Sequence, residues 1–240
     1  MTTELRGFRA AIVALTLLTA AGSAVPASAQ YYGGDHTIRF HGGLFEPDGE
    51  SEYWEDAEAI FTGDASEFED AILGFDYRMG LGDGQRLGLL LSVSGFEGQD
   101  DREDLRFVDS QGFPIIHEAT LEVTALTAGV TFNFAPRAAV QPYVGVGGGY
   151  YLWDLEESGD FVFQGPEFDE IFTATFQDDG ATLGYFWLAG VEVPVGPSWS
   201  LFAEGRWHRA EDDLGGPDFE GFGDLDLSGR AISGGVSWTF

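Results

Sequence analysis

The chain contains no cysteine and no lysine, has only two methionines, and after its first thirty positions never runs 18 apolar residues together. Without cysteine there is no disulfide frame, thiolate nucleophile or Cys-ligated metal. The 11 basic residues are all arginine and face 41 Asp plus Glu, for a formal net charge of -30. That balance excludes a nucleic-acid partner, which needs a basic stripe to meet phosphate, and makes cations the natural counterpart. The missing apolar run excludes a spanning helix, which needs about 20 such residues. A chain of this kind crosses a membrane only as a closed barrel, since unpaired backbone N–H and C=O groups in lipid cost several kcal/mol each. What is abundant, 35 Gly and 21 Phe, forms strands and turns rather than helices.

Residues 1–29 read as an address. Arg6 and Arg9 precede an apolar segment, Ala10–Ala21, and Ala27, Ser28 and Ala29 supply a small-residue cleavage pattern, as in a secretory signal. Cleavage after Ala29 leaves residues 30–240 as a single domain.

Alternation with period two then marks eight strands. The first, His36–Leu44, sets Ile38, Phe40 and Leu44 against Thr37, Arg39 and His41. The second and third, about Glu69–Gly80 and Gln85–Glu97, share an apolar face of Leu73, Phe75, Tyr77, Leu89, Leu91 and Val93 across a tight LGDG turn. The fourth, about Ala119–Phe134, changes phase: Leu126, Ala128, Val130, Phe132 and Phe134 continue the apolar face, whereas Leu121 and Val123 fit the opposite one and predict a bulge or a segment above the membrane. The fifth, Val140–Trp153, opposes Val144, Val146, Tyr150 and Leu152 to Tyr143, Gly145, Gly147, Gly149, Tyr151 and Trp153. The sixth, Ala181–Val193, and seventh, Trp199–Arg209, place Leu183, Tyr185, Trp187, Leu201 and Trp207 opposite Glu192, Glu204, Arg206 and His208. The eighth, within 226–240, opposes Ile232, Val236, Trp238 and Phe240 to Ser233, Gly235, Ser237 and Thr239.

Short connections alternate with long ones at about 47–66, 98–118, 154–180 and 210–225, and the long ones hold 28 acidic residues against two basic ones, Arg102 and Arg106. The expected fold is all-β: an eight-stranded antiparallel transmembrane barrel, apolar faces to lipid, with short periplasmic turns and long acidic extracellular loops. The lipid-facing sets carry no charge, as they must when Arg at mid-depth costs roughly 2–4 kcal/mol. Tyr150, Tyr185 and Trp207 at the outer rim, and Phe134, Trp199, Trp238 and Phe240 at the inner one, predict aromatic girdles.

Ser233, Gly235, Trp238 and Phe240 form a closing pattern that resembles the signal by which the barrel-assembly machinery recognises bacterial outer-membrane proteins. Together with QPYVGVGGGYY at 141–151 and LFAEGR at 201–206, it resembles the small outer-membrane β-barrel family that includes the transmembrane domain of outer-membrane protein A and the opacity-type proteins. The resemblance implies a monomer in the cell outer membrane, among lipid and lipopolysaccharide.

The inward polar set, Arg39, Asp76, Arg78, Arg86, Glu192, Glu204 and Arg206, predicts a lumen plugged by ion pairs. Eight strands leave room for little beyond side chains, and buried charges need partners. A narrow channel for small or hydrophobic solutes is the alternative, and a lipid-modifying enzyme using His208 and Glu204 a third. No motif ties a serine to that pair, and the four histidines lack metal-ligand spacing, so neither cofactor nor catalysis is expected. Gly145–Gly149 lacks the spacing and following helix of a phosphate loop and reads as room for neighbouring rings. The acidic runs at 100–104 and 211–213 lack the spacing of a calcium loop; diffuse Ca2+ or Mg2+ binding that bridges to lipopolysaccharide is the sharper expectation. Phe107, Phe113, Phe161, Phe163, Phe168, Phe172, Phe176, Phe219 and Phe222 interrupt the acid, and would either fold the loops over the mouth or offer a surface to a partner.

Overall fold

The computed structural model describes residues 36–82, 86–109, 111–164, 169–219 and 221–240; the address read at 1–29 lies outside them. The elements are β1 (His36–Pro47), α1 (Glu52–Ile60), a 3-10 turn (Ala65–Phe68), β2 (Asp70–Leu81), β3 (Leu87–Val108), β4 (Pro114–Asn133), β5 (Gln141–Gln164), β6 (Asp169–Pro194), β7 (Trp199–Arg209), β8 (Glu211–Asp213), β9 (Asp224–Asp226) and β10 (Gly229–Thr239). Eight of the strands close a barrel in the order β1-β10-β7-β6-β5-β4-β3-β2, and β8 and β9 form a separate ribbon. The closing pair, β1 with β10, is antiparallel from Thr37 opposite Thr239 to Pro47 opposite Gly229.

The alternation sorts as lipid outside demands. Leu73, Leu183 and Ile232 are exposed by 69–75%, while Arg39 and Asp76 on the opposite phase are fully buried. Trp199 and Trp238 stack at the periplasmic rim, and Trp187 and Trp207 stack toward the outer one.

The wall is not of even height. β1, β2, β7 and β10 have 11 or 12 residues, about what a tilted strand needs to cross hydrocarbon. β3 to β6 have 20 to 26. The segments expected to be loops at 98–118 and 154–180 are therefore mostly strand. Beyond the lipid the outward face meets water, so it no longer needs apolar residues and the alternation fades from the sequence while the ladder continues.

The same crossing explains Leu121 and Val123. The β4–β5 register runs unbroken from His117 opposite Gly159 to Asn133 opposite Tyr143, so no bulge lies there; the β3–β4 register shifts only between Glu103 and Val108. Both residues point inward and are buried, because above the belt the apolar face changes from the outside of the sheet to the inside.

What covers that inner face is α1 together with 210–219 and 221–228. Glu52 and Glu55 occupy the first turn of α1, where the helix dipole favours acid, and Tyr53, Trp54 and Ala57 form its buried side. Trp54 Nε1 donates to the Asp226 carbonyl at 3.1 Å, and Ser51 Oγ accepts from Asp226 N–H at 3.1 Å. Leu214, Phe219, Leu225 and Leu227 join Trp54 and Phe68 against Phe45, Phe96, Leu121, Val123, Trp153 and Leu155 in one core. Phe176 and Phe222 pack on that core, whereas Phe113 is exposed; the Phe163 side chain and Phe168 lie outside the described residues.

Candidate functional site

The lumen below this core is ionic, and five strands build its central ring. Arg39 from β1 lies 3.3 Å from Asp76 of β2 and 3.0 Å from Glu204 of β7. Arg206, two residues along β7 on the same face, lies 2.9 Å from Glu204 and 3.5 Å from Asp76. Two arginines and two carboxylates thus close a ring across the barrel. Neutral groups complete it: Ser92 Oγ donates to Asp76 at 2.6 Å and accepts from Arg206 at 2.8 Å, and Tyr143 Oη accepts from Arg39 at 2.7 Å and donates to Glu204 at 2.9 Å. The Arg39–Asp76 contact is an ion pair rather than a directed hydrogen bond, since Arg39 Nη1 and Asp76 Oδ2 make none. Arg39 also lies over the Phe202 ring at 3.7 Å.

One step toward the periplasm, Arg78 Nη2 donates to Glu192 at 3.0 Å and Ser237 Oγ donates to the other carboxylate oxygen at 2.8 Å. The seventh member of the expected set stands apart. Arg86 is exposed at the periplasmic rim, one residue before β3 begins, where it lines the open end of the lumen beyond reach of the ring. Sequence reasoning missed Ser92, Tyr143 and Ser237 as partners; their inward phase was the available signal.

His208 is buried beside Phe45 and Phe186, and its hydrogen bond is to Tyr151 Oη at 2.9 Å. His41 Nε2 lies 3.6 Å from Asp76. Gly147 leaves room for a ring: a side-chain carbon there would fall 2.7 Å from Phe186.

The upper seam, outside the membrane, has its own polar contacts. Tyr53 Oη of α1 donates to Glu157 of β5 at 2.6 Å; burial pushes the tyrosine hydroxyl well above its usual range and the Glu157 carboxyl up. Arg102 lies over the Phe68 and Trp54 rings and donates to Asp100 at 3.1 Å. His117 is held between Phe61 and Phe161 at 4.6 and 4.4 Å, where burial pushes its pKa down.

A closed eight-stranded barrel with an apolar exterior, an ionic lumen and a capped outer mouth matches the model of the outer membrane protein beta-barrel domain over residues 13–240. The chain belongs to this outer-membrane β-barrel family. Solved structures of similar fold include the outer membrane protein OprG from Pseudomonas aeruginosa, at 16% identity, covering 87% of this chain and 97% of that one with a TM-score of 0.51. Neisserial surface protein A (14% identity, 86% and 97% covered, TM-score 0.44) and Ail, the attachment invasion locus protein of Yersinia pestis (14%, 86% and 97%, 0.42), are more distant in shape. No curated protein matches the chain in sequence. At these identities the likeness is one of fold, and membership places this barrel in the cell outer membrane; activity must be argued from its own residues.

Proposed function

We propose that this barrel is a non-catalytic, monomeric surface protein whose lumen does not conduct and whose contacts run through its acidic outer wall. The observation that carries this is a double block across the lumen: the ring of Arg39, Asp76, Glu204 and Arg206 lies beneath a core that α1 covers. Passage of an ion or an apolar solute along the axis would have to break both. Catalysis lacks a partner for His208, whose hydrogen bond among the described residues goes to Tyr151. Purified protein in planar bilayers should show no steady unitary conductance; a large, stable one would overturn the sealed lumen and favour the narrow-channel alternative.

The register supports a specific reading of the acidic wall. One step above the row Gly95, Thr124, Leu152 and Ala181 stands a row of Glu97, Glu122, Asp154 and Asp179, each opposite the next on β3 to β6. Like charges placed opposite one another on a sheet are unfavourable. On this reading the row would meet the phosphate zone of lipopolysaccharide, and divalent cations between the two would relieve both. Among the described residues no three ligands converge on one ion, so such binding is diffuse. Calcium titration of the protein in lipopolysaccharide-containing bilayers should show EDTA-reversible uptake; no difference from protein-free bilayers would sink the proposal. Delivery by the assembly machinery would use Ser233, Gly235, Trp238 and Phe240, of which Trp238 and Phe240 face outward at the periplasmic end.

A further inference from the structure

The periplasmic end of the lumen holds a cavity of about 240 Å3, well over ten times the roughly 10–15 Å3 that one water needs. The turn residues Pro136 and Ser198 ring its mouth, and Tyr143 and Glu192 close its inner end against the ionic ring. It is a blind cup, open on one side.

Its charge runs against that of the chain. Arg78 and Arg86 line it against one carboxylate, Glu192, which is already satisfied by Arg78 and Ser237. Among the described residues, seven of the nine arginines have a carboxylate of that set within 4 Å; Arg86 and Arg137, both at the periplasmic end, are the two that do not. In a protein of net charge -30 this is a positive, donor-rich hollow. Arg78 uses one Nη on Glu192, and Thr37 and Asn133 add polar side chains to the wall.

We propose that this cup is a binding site for a compact anion bearing phosphate or carboxylate, entering from the periplasm and held between Arg86 and Arg78. Planar guanidinium groups suit such oxyanions through paired N–H donors, and the closed inner end makes the cup a receptor and not a passage. Phosphate could arrive free or as the headgroup of an inner-leaflet phospholipid.

The test uses the mature protein in phosphatidylcholine nanodiscs, following arginine Nε–H resonances by NMR while inorganic phosphate is added at constant ionic strength. Saturable shifts at Arg78 and Arg86, with Arg206 unmoved, are expected, and Arg86→Gln should weaken binding about tenfold. Because Arg86 is exposed, that variant should fold; Asn133→Asp, which puts a negative charge inside the cup, should abolish binding independently. If nanodiscs containing phosphatidylglycerol move the same resonances without added phosphate, the occupant is a lipid headgroup; if only free phosphate does, it is a soluble anion. Shifts that never saturate, or equal affinity in Arg86→Gln, overturn the proposal.

Discussion

The two halves of the lumen are built by opposite means. Toward the periplasm, charges on β1, β2 and β7 meet in a ring whose members are 0–4% exposed. Toward the outside, Trp54, Phe68, Leu121, Val123 and Leu155 pack as the interior of a soluble protein would. Side chains of the first half have partners that cannot be exchanged, because a buried charge without its counter-charge is severely destabilising. Those of the second need only volume and shape. The ionic half is therefore inseparable from closure of the barrel, and the apolar half behaves as a lid.

Glu204→Ala should have the largest effect. It leaves Arg39 and Arg206 sharing Asp76 alone, and breaking such a buried set costs about 3–5 kcal/mol. Urea unfolding in lipid vesicles should show a global loss of that size, with Glu204→Gln losing less. Trp54→Ala should cost about 3 kcal/mol, but in the lid: limited proteolysis should open the 210–228 segment while the gel-mobility shift on heating, which reports the barrel, is retained. An equal global loss in both variants would erase the distinction between the halves.

Tyr53→Phe sharpens it further. Removing the hydroxyl leaves buried Glu157 without its donor, worth about 1–3 kcal/mol, and makes the lid more sensitive to pH. Since burial raises the Glu157 pKa above its ordinary value, the folded state binds that proton more readily than the unfolded chain. The lid should lose stability as pH rises through the folded pKa and regain it as pH falls. His117 acts in the opposite direction. Its pKa lies below 6.5 through burial between rings, although Asp104 and Asp160 offset part of this, so it weakens the lid as pH falls below that value. In His117→Leu, hydrogen exchange of the α1 amides between pH 7 and 5 should show stabilisation on acidification; persistent acid weakening would assign the effect elsewhere. Arg230→Gln, whose ion pair with Glu46 is exposed, should leave the unfolding midpoint unmoved.

Much of this was legible in the residues. The exterior of β5, β6, β7 and β10 follows from alternation alone, as does the inward placement of Arg39, Asp76, Arg78, Glu192, Glu204 and Arg206. The failures cluster above the membrane. There Leu121 and Val123 left a bulge and a segment above the membrane as alternatives, which the unbroken register resolves in favour of the second, and Tyr53 and Trp54 were hidden in an acidic stretch read as loop. Arg86 failed for another reason: a strand that starts one residue later puts its first neighbour at the rim.

Sequence alone determined the strand faces, the absence of charge from the lipid belt and the concentration of acid at one end, because each depends only on whether a side chain meets hydrocarbon or water. Tertiary structure decided which carboxylate meets which arginine, where the apolar face crosses from outside the sheet to inside, and that a cup remains open below. These depend on the pairing of residues such as Arg39 and Glu204, 165 positions apart, and no local pattern carries the register that brings them together.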